Sequence, residues 1–309
     1  MTDQLEMVIL DWAGTTLDYG CFAPAVAFVE AVRKYSAAHQ GNFSLDIQEA
    51  RVPMGLKKDV HIKEFLGLGE RYKEHPLVQG VTARWKKEFG SAPTEDDAAE
   101  IFKYFIPAQM AVLAEYADLI PGTIEAVAYL RERGIKIGST TGYMGHDTDP
   151  QQDMMGLLLR EGEKRNYIPD VSVCATGHVA VRDWSKGTWK YSKVDLPQAR
   201  PAPWMCLENA KRMNIYPTYK ILKVDDTVDG VLEGVHAGMW TFGLTKTSSD
   251  MGLTENEVLA LPKAELEKRL QKNYLKMKEA GATFIGVGIW KMPETVEEIR
   301  GFLKQGIWV

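Results

Sequence analysis

Cysteine is scarce in this sequence: three in 309 residues, at positions 21, 174 and 206. An odd number spaced so widely forms neither a disulfide framework nor a paired metal motif, and points to a reducing compartment. Long apolar runs are lacking as well. The run from Met7 to Leu10 is four residues, and the most apolar late stretch, 280–290, is too short to cross a bilayer. The opening MTDQLE does not read as a secretory leader. Blocks of Lys or Arg are missing and the net charge is −5, which argues against nucleic acid as a partner. What remains is the expectation of a cytoplasmic protein without a membrane or nucleic-acid role.

Apolar residues make up 45% and charged residues 26%, an ordinary globular balance, and the length suffices for one or two domains with a sizeable core. Residues 7–10 read as a buried strand, and 135–143, 220–227, 239–244 and 283–288 contain further strands. Phe22, Val26, Val29 and Val32 recur at helical spacing, with Pro24 near the start, where a helix tolerates it. PGTIEAVAYLRERG predicts a helix capped by Thr123, with Ile124, Val127 and Leu130 on one face and Gly134 as its stop. A helix follows 227 and runs to Gly238. Thr254–Glu257 and Thr295–Glu298 have the spacing of capping boxes. This alternation predicts an α/β fold on a parallel sheet. Residues 45–117 are polar and helix-patterned without a convincing strand. With the helix before them they read as an inserted cap, 21–117, between the two parts of a core, 1–20 and 118–309.

Three strands end in polar clusters: Asp11; Ser139, Thr140 and Thr141; Asp225 and Asp226. An open parallel sheet binds ligands at the carboxyl ends of its strands, so the clusters are expected to converge. Carboxylates gathered there form a hard-oxygen nest suited to Mg²⁺, and hydroxyls with turn amides suit a phosphoryl group. An Asp without an adjacent base still serves as a nucleophile towards phosphorus, because a carboxylate is ionised at pH 7.

Together ILDWAGTTLDYGCFAP, PMGLKK, IGSTTGY, RPAPWM and KVDDT resemble the phosphonoacetaldehyde hydrolases (phosphonatases) of the haloacid dehalogenase superfamily, over roughly residues 7–252. The resemblance implies a Rossmann-like parallel-sheet core with an inserted helical cap, Mg²⁺ as cofactor and a homodimer. The implied activity is hydrolysis of phosphonoacetaldehyde to acetaldehyde and phosphate, in 2-aminoethylphosphonate degradation. It further implies Asp11 as the nucleophile that becomes an aspartyl-phosphate, and Lys58 as a Schiff-base lysine. Thr141 and Arg200 would hold the phosphoryl oxygens, with Gly142 and Tyr143 beside them. Gly55 would lie near the lysine, with Met54 and His61 as proton carriers. Mg²⁺ would be held by Asp11, the backbone carbonyl of Ala13 and Asp226, with Asp225 adding charge.

Ala13 fits that chemistry. Most phosphatases of the superfamily carry a second Asp there, as acid for an alkoxide leaving group. Splitting a P–C bond expels carbon, which calls for an electron sink instead. A protonated imine on Lys58 turns the departing carbanion into an enamine. To attack, the amine must be neutral, so its pKa must fall through burial or nearby positive charge. Lys57 is one such neighbour, although on a helix the two lysines point about 100° apart and only one faces the site. Cys21, at the core–cap hinge, reads as a small buried residue.

The sequence departs from the family at four places. Asp225 stands where the family has Gly, and Gly230 where it has a second Asp, with Asp229 next to it. Either Asp225 or Asp229 is left to supply the missing acid. Extra residues occur around 144–150 and 178–193. The second insertion is rich in aromatic and basic residues, and suits a hairpin at the entrance, a partner contact or a plain surface excursion. Two rival readings remain. A phosphomonoester hydrolase or phosphomutase on the same core would want Asp at 13 and no Lys58. A non-catalytic phosphate-sensing homologue would let Asp11, Thr141 or Asp226 decay.

Overall fold

The computed structural model describes residues 4–309, so the first three residues of the expected core segment 1–20 lie outside the described residues. The strands are β1 (Met7–Leu10), β2 (Lys136–Thr141), β3 (Val171–Cys174), β4 (His178–Asp183), β5 (Thr188–Lys193), β6 (Ile221–Asp225), β7 (Trp240–Leu244) and β8 (Phe284–Gly286). They form one sheet in the order β5-β4-β3-β2-β1-β6-β7-β8. The run from β8 to β3 is parallel, while β4 and β5 extend one edge as an antiparallel hairpin. β1 is apolar and buried at every residue, as a central parallel strand covered on both faces must be. It pairs with β2 on one side and β6 on the other. The strand order therefore reverses at β1, which opens a crevice beyond its carboxyl end.

Five helices, α1 (Phe22–Ala38), α2 (Ile47–Arg51), α3 (Lys58–Phe65), α4 (Pro76–Phe89) and α5 (Glu95–Val112), fill the chain between β1 and the rest. The block has an aromatic centre: Phe28 stacks on Phe105 at 4.4 Å and Trp85 meets Tyr35 at 5.3 Å and Phe43 at 5.4 Å. Each such ring, fully buried, contributes on the order of 1.5–3 kcal/mol. The remaining helices are α6 (Thr123–Glu132), α7 (Met154–Lys164), α8 (Trp204–Met213), α9 (Val228–His236), α10 (Glu255–Ala260), α11 (Lys263–Glu279) and α12 (Met292–Lys304). None of the helices among the described residues is long and apolar enough to cross a membrane.

Local expectations fare unevenly. α1 forms, but its buried face runs through Phe28, Ala31, Val32 and Tyr35, with Val26 and Val29 only partly covered. Two neighbours sandwich that helix and shift its apolar stripe. Thr123 does not cap α6: Gly122 occupies the cap position, and the Thr123 hydroxyl donates to the Thr16 carbonyl at 2.9 Å, tying the helix to the loop after β1. Thr254 and Glu257 do form a capping box. Thr295 does not, because α12 begins earlier, at Met292, and Thr295 hydrogen-bonds back to the Lys291 carbonyl. β3 is a strand that sequence patterning did not single out, and the insertion at 178–193 takes the hairpin form among its three readings, as β4 and β5.

Candidate active site

The ladder between β1 and β6 runs one bond past the strand, where the Asp11 N–H donates to the Val224 carbonyl at 3.1 Å. The chain then turns. The N–H groups of Thr15, Thr16 and Leu17 all donate to the Trp12 carbonyl, so the Ala13 carbonyl is not an acceptor in this turn. Gly14 has φ +86, and a Cβ there would run into the carboxylate of Asp226. Glycine is required on both counts. Asp226 is fixed from two sides, by the Thr15 hydroxyl at 3.2 Å and the Ser249 N–H at 3.0 Å.

Beyond β1 lies a small, half-open cleft of about 30 Å³, with room for ordered water. Its walls come from both lobes. Asp11, Ala13, Thr141, Gly142, Tyr143 and Arg200 rise from the sheet side, and Met54, Gly55 and Lys58 descend from the helical block. Cys21, Pro24 and Thr227 complete it. The lobes meet closely at two glycines. A Cβ on Gly55 (φ +99) would lie 2.8 Å from the Thr227 hydroxyl, and one on Gly142 would lie 3.1 Å from the Leu56 carbonyl.

Acid is concentrated beneath this space. Carboxylate oxygens of Asp11, Asp225 and Asp226 lie within 4.8 Å of one another, all three side chains buried. Burial pushes the Asp11 carboxyl up, the charge of Asp225 adds to this, and Arg200 and Lys223 offset part of it, leaving it at about 6. Asp226 is raised well above the usual range by burial and by the charges of Asp225 and Asp11. Burial opposes the charged form of Asp225 too, but Arg200 and Lys223 outweigh it and hold its carboxyl low. Arg200 and Lys223 pair with Asp11, Asp225 and Glu233, whereas Asp226 meets neither cation. The all-oxygen donor set of Asp11, Asp225 and Asp226 fits a divalent cation.

Lys58 is 4% exposed and its ammonium lies 5.0 Å from the ring centroid of Tyr143. Burial lowers its pKa to about 8. Lys57 takes no part: it caps α3, its ammonium pairs with Asp59 at 3.0 Å, and it borders a different cleft. Burial, rather than a neighbouring lysine, therefore tunes the amine. Burial also puts the Cys21 thiol well above its usual range, so it stays protonated, as a packing residue does. His61 does not line the space. Its ring stacks on Phe28 at 4.0 Å, and its Nε2 donates to the Ala50 carbonyl at 2.7 Å. That bond assigns the proton of the neutral imidazole to Nε2. Nδ1 is left with a lone pair, buried and unpartnered.

The two acids next to Asp226 separate cleanly. A Cβ on Gly230 would collide with the Asp225 carboxylate, so Asp225 fills the space that a side chain at 230 would use. Asp229 turns away and pairs with Arg71 of the helical block. The insertions also resolve. The segment 144–150 is tied to the hairpin through His178, whose ring lies 3.0 Å from Asp147 and 2.8 Å from the Thr176 hydroxyl. Neither insertion supplies a wall of that cleft. The foot of the hairpin, at Lys193, borders the Lys57 cleft instead. Sequence reading missed Lys223 and Glu233. A lysine within a buried apolar strand, and an acid in the middle of the largely apolar helix VDGVLEGV, were the available signals.

The family model of the haloacid dehalogenase-like hydrolases matches residues 5–238, and the chain belongs to that family. A Syntrophobacter fumaroxidans protein named phosphonoacetaldehyde hydrolase is 40% identical over 305 residues, 99% of this chain and 95% of its own. A Bacillus cytotoxicus protein of the same name is 36% identical over 297 residues, 96% and 97% of the two chains. The crystal structure of a phosphonoacetaldehyde hydrolase-like protein from Oleispira antarctica superposes with TM-score 0.82 at 30% identity, covering 99% of this chain and 96% of that one. Within the hydrolases the chain is thus a member of the phosphonoacetaldehyde hydrolase group.

Proposed function

We propose that this protein hydrolyses the carbon–phosphorus bond of phosphonoacetaldehyde, giving acetaldehyde and phosphate, in the degradation of 2-aminoethylphosphonate. One observation carries the reading: Lys58 from the helical block and Asp11 from the sheet line the same buried space. The block, residues 21–117, acts as a cap on the core formed by 1–20 and 118–309. It opens to admit substrate and closes to exclude water.

Lys58 attacks the aldehyde carbon as a free amine, and water leaves to form a protonated imine. Met54 beside the lysine and His61, one turn further along α3, are the residues proposed to help the amine proton leave. Asp11 attacks phosphorus in line; the P–C bond breaks and its electron pair enters the imine as an enamine. Arg200, whose Nη2 lies 2.7 Å from Asp11, meets the charge developing on the phosphoryl oxygens with Thr141 and the backbone of Gly142 and Tyr143. Mg²⁺, held by Asp11, Asp226 and the Ala13 carbonyl with Asp225 behind, supplies charge neutralisation when bound. The enamine takes a proton at carbon and is hydrolysed to acetaldehyde, freeing Lys58. Water then cleaves the aspartyl-phosphate.

A phosphomonoester hydrolase or phosphomutase has no use for a buried lysine here and lacks its acid at Ala13. The phosphate-sensing alternative fits poorly with an intact set of Asp11, Thr141 and Asp226. Release of phosphate from phosphonoacetaldehyde, with and without Mg²⁺, separates the three readings. Borohydride trapping with the same substrate should place a reduced adduct on Lys58; an active protein without it would overturn the imine. A homodimer and a cytoplasmic location rest on the family resemblance and the scarce cysteines, and light scattering tests the first.

A further inference from the structure

Beneath the reacting atoms lies a set of buried groups to which the proposed chemistry assigns no part. Lys223 is in the middle of β6 and Glu233 on α9, and both side chains are fully buried. Their nitrogen and oxygen are 3.6 Å apart. The Lys223 ammonium donates to the Thr140 hydroxyl at 2.7 Å and reaches Asp225 at 2.9 Å. Glu233 accepts from Arg200 Nε at 3.0 Å and from the Thr140 hydroxyl at 3.2 Å. Arg200 Nη2 donates to Thr140 at 2.7 Å and to Asp11 at 2.7 Å. The Thr140 hydroxyl is the hub, accepting from two cations and donating to one carboxylate.

Stability alone does not account for such an arrangement. Replacing a buried ion pair by apolar side chains of similar size is often neutral or stabilising, and β6 is otherwise suited to an apolar residue at 223. The geometry has a direction instead. Glu233 grips the guanidinium by its Nε edge and leaves Nη2 aimed at the nucleophile. Lys223 grips Asp225 and Thr140, the other two groups that Arg200 touches. A guanidinium on a flexible stem needs such fixing if it is to meet developing charge without reorganising.

We infer that Glu233 and Lys223 are positioning residues for phosphoryl transfer: Glu233 orients Arg200 onto the nucleophile Asp11, and Lys223 fixes the acceptors Thr140 and Asp225 around it. The inference rests on the proposed hydrolysis and deepens it.

The test is a double-mutant cycle on kcat with phosphonoacetaldehyde and Mg²⁺. Glu233→Gln keeps the shape and removes one charge from a cluster with acid to spare, so it is expected to fold. It should lower kcat about 10–100-fold, the usual loss for a group that orients a catalytic one, with KM changed far less. In an Arg200→Ala background the same substitution should cost almost nothing more, because its effect passes through Arg200. Borohydride trapping on Lys58, which belongs to the other lobe, should be retained. Unchanged kcat in Glu233→Gln, or equal losses with and without Arg200, would overturn the inference. Should melting show that this variant does not fold, Glu233→Asp, which keeps the charge but draws the carboxylate back, is read through the same cycle. Failure of the underlying reading looks different: the unaltered protein would then release no phosphate and trap no lysine.

Discussion

The carboxylate of Asp225 occupies the volume into which any side chain at position 230 would project. The two positions exclude each other, so a side chain can stand at 225 or at 230, but not at both. Gly230→Ala should therefore destabilise the protein by roughly 1–3 kcal/mol through overpacking, against the gain of about 1 kcal/mol that Ala ordinarily has over Gly within a helix. In an Asp225→Gly background, which carries its own cost because Arg200 and Lys223 lose a partner, Gly230→Ala should cost almost nothing more. Denaturant midpoints for the two single variants and the double variant measure this; additive costs would refute the exclusion.

Metal affinity should distinguish the neighbouring acids. Asp229 faces Arg71 across the lobe boundary, so Asp229→Asn should leave Mg²⁺ binding near its original strength. Asp225→Asn should weaken it about 10-fold or more. Titration calorimetry on the substrate-free protein reads both, and the reverse ranking would reassign the acid.

The amine of Lys58 has a definite pH signature. Burial favours the neutral form and places its pKa at about 8, against about 10.4 for a free lysine. The fraction able to attack a carbonyl thus rises with pH and levels off above about 8, more than two units earlier than for an exposed lysine. Single-turnover trapping of the imine across pH 6–10 should follow that curve. A midpoint near 10 would show that the side chain is solvated.

Asp11→Asn should abolish turnover, by on the order of 10⁴-fold as expected for a member of a covalent machinery, and leave the fold intact. Burial and the charge of Asp225 already work against ionisation of Asp11, so the neutral amide relieves repulsion in the acid cluster. Its melting temperature should equal or exceed that of the unaltered protein. Substantial remaining activity would exclude Asp11 as nucleophile.

The sheet-side strands were legible because short buried runs such as MVIL and ILKVD end abruptly in acid. Of the wall-forming residues, Lys58 and Met54 were legible only through the motif around them, since a KK pair on a polar helix looks like solvated surface. Two features could not be read from sequence. Thr123 looks like a cap, but its hydroxyl binds a loop more than a hundred residues away. The hairpin of β4 and β5 was one of three readings of its segment, because an edge exposed on much of its surface carries little apolar alternation to decide between them. Glu233 shows its partners only after the chain has brought α9 over β6, and no local pattern encodes that meeting.

The cleft between Lys58 and Asp11 measures about 30 Å³, so a compound sized to this shape would be little more than water. Under the proposed opening of the helical block, useful ligands enter where Gly55 and Gly142 part and are held when the two come together again. Such compounds should show slow-onset inhibition and long residence.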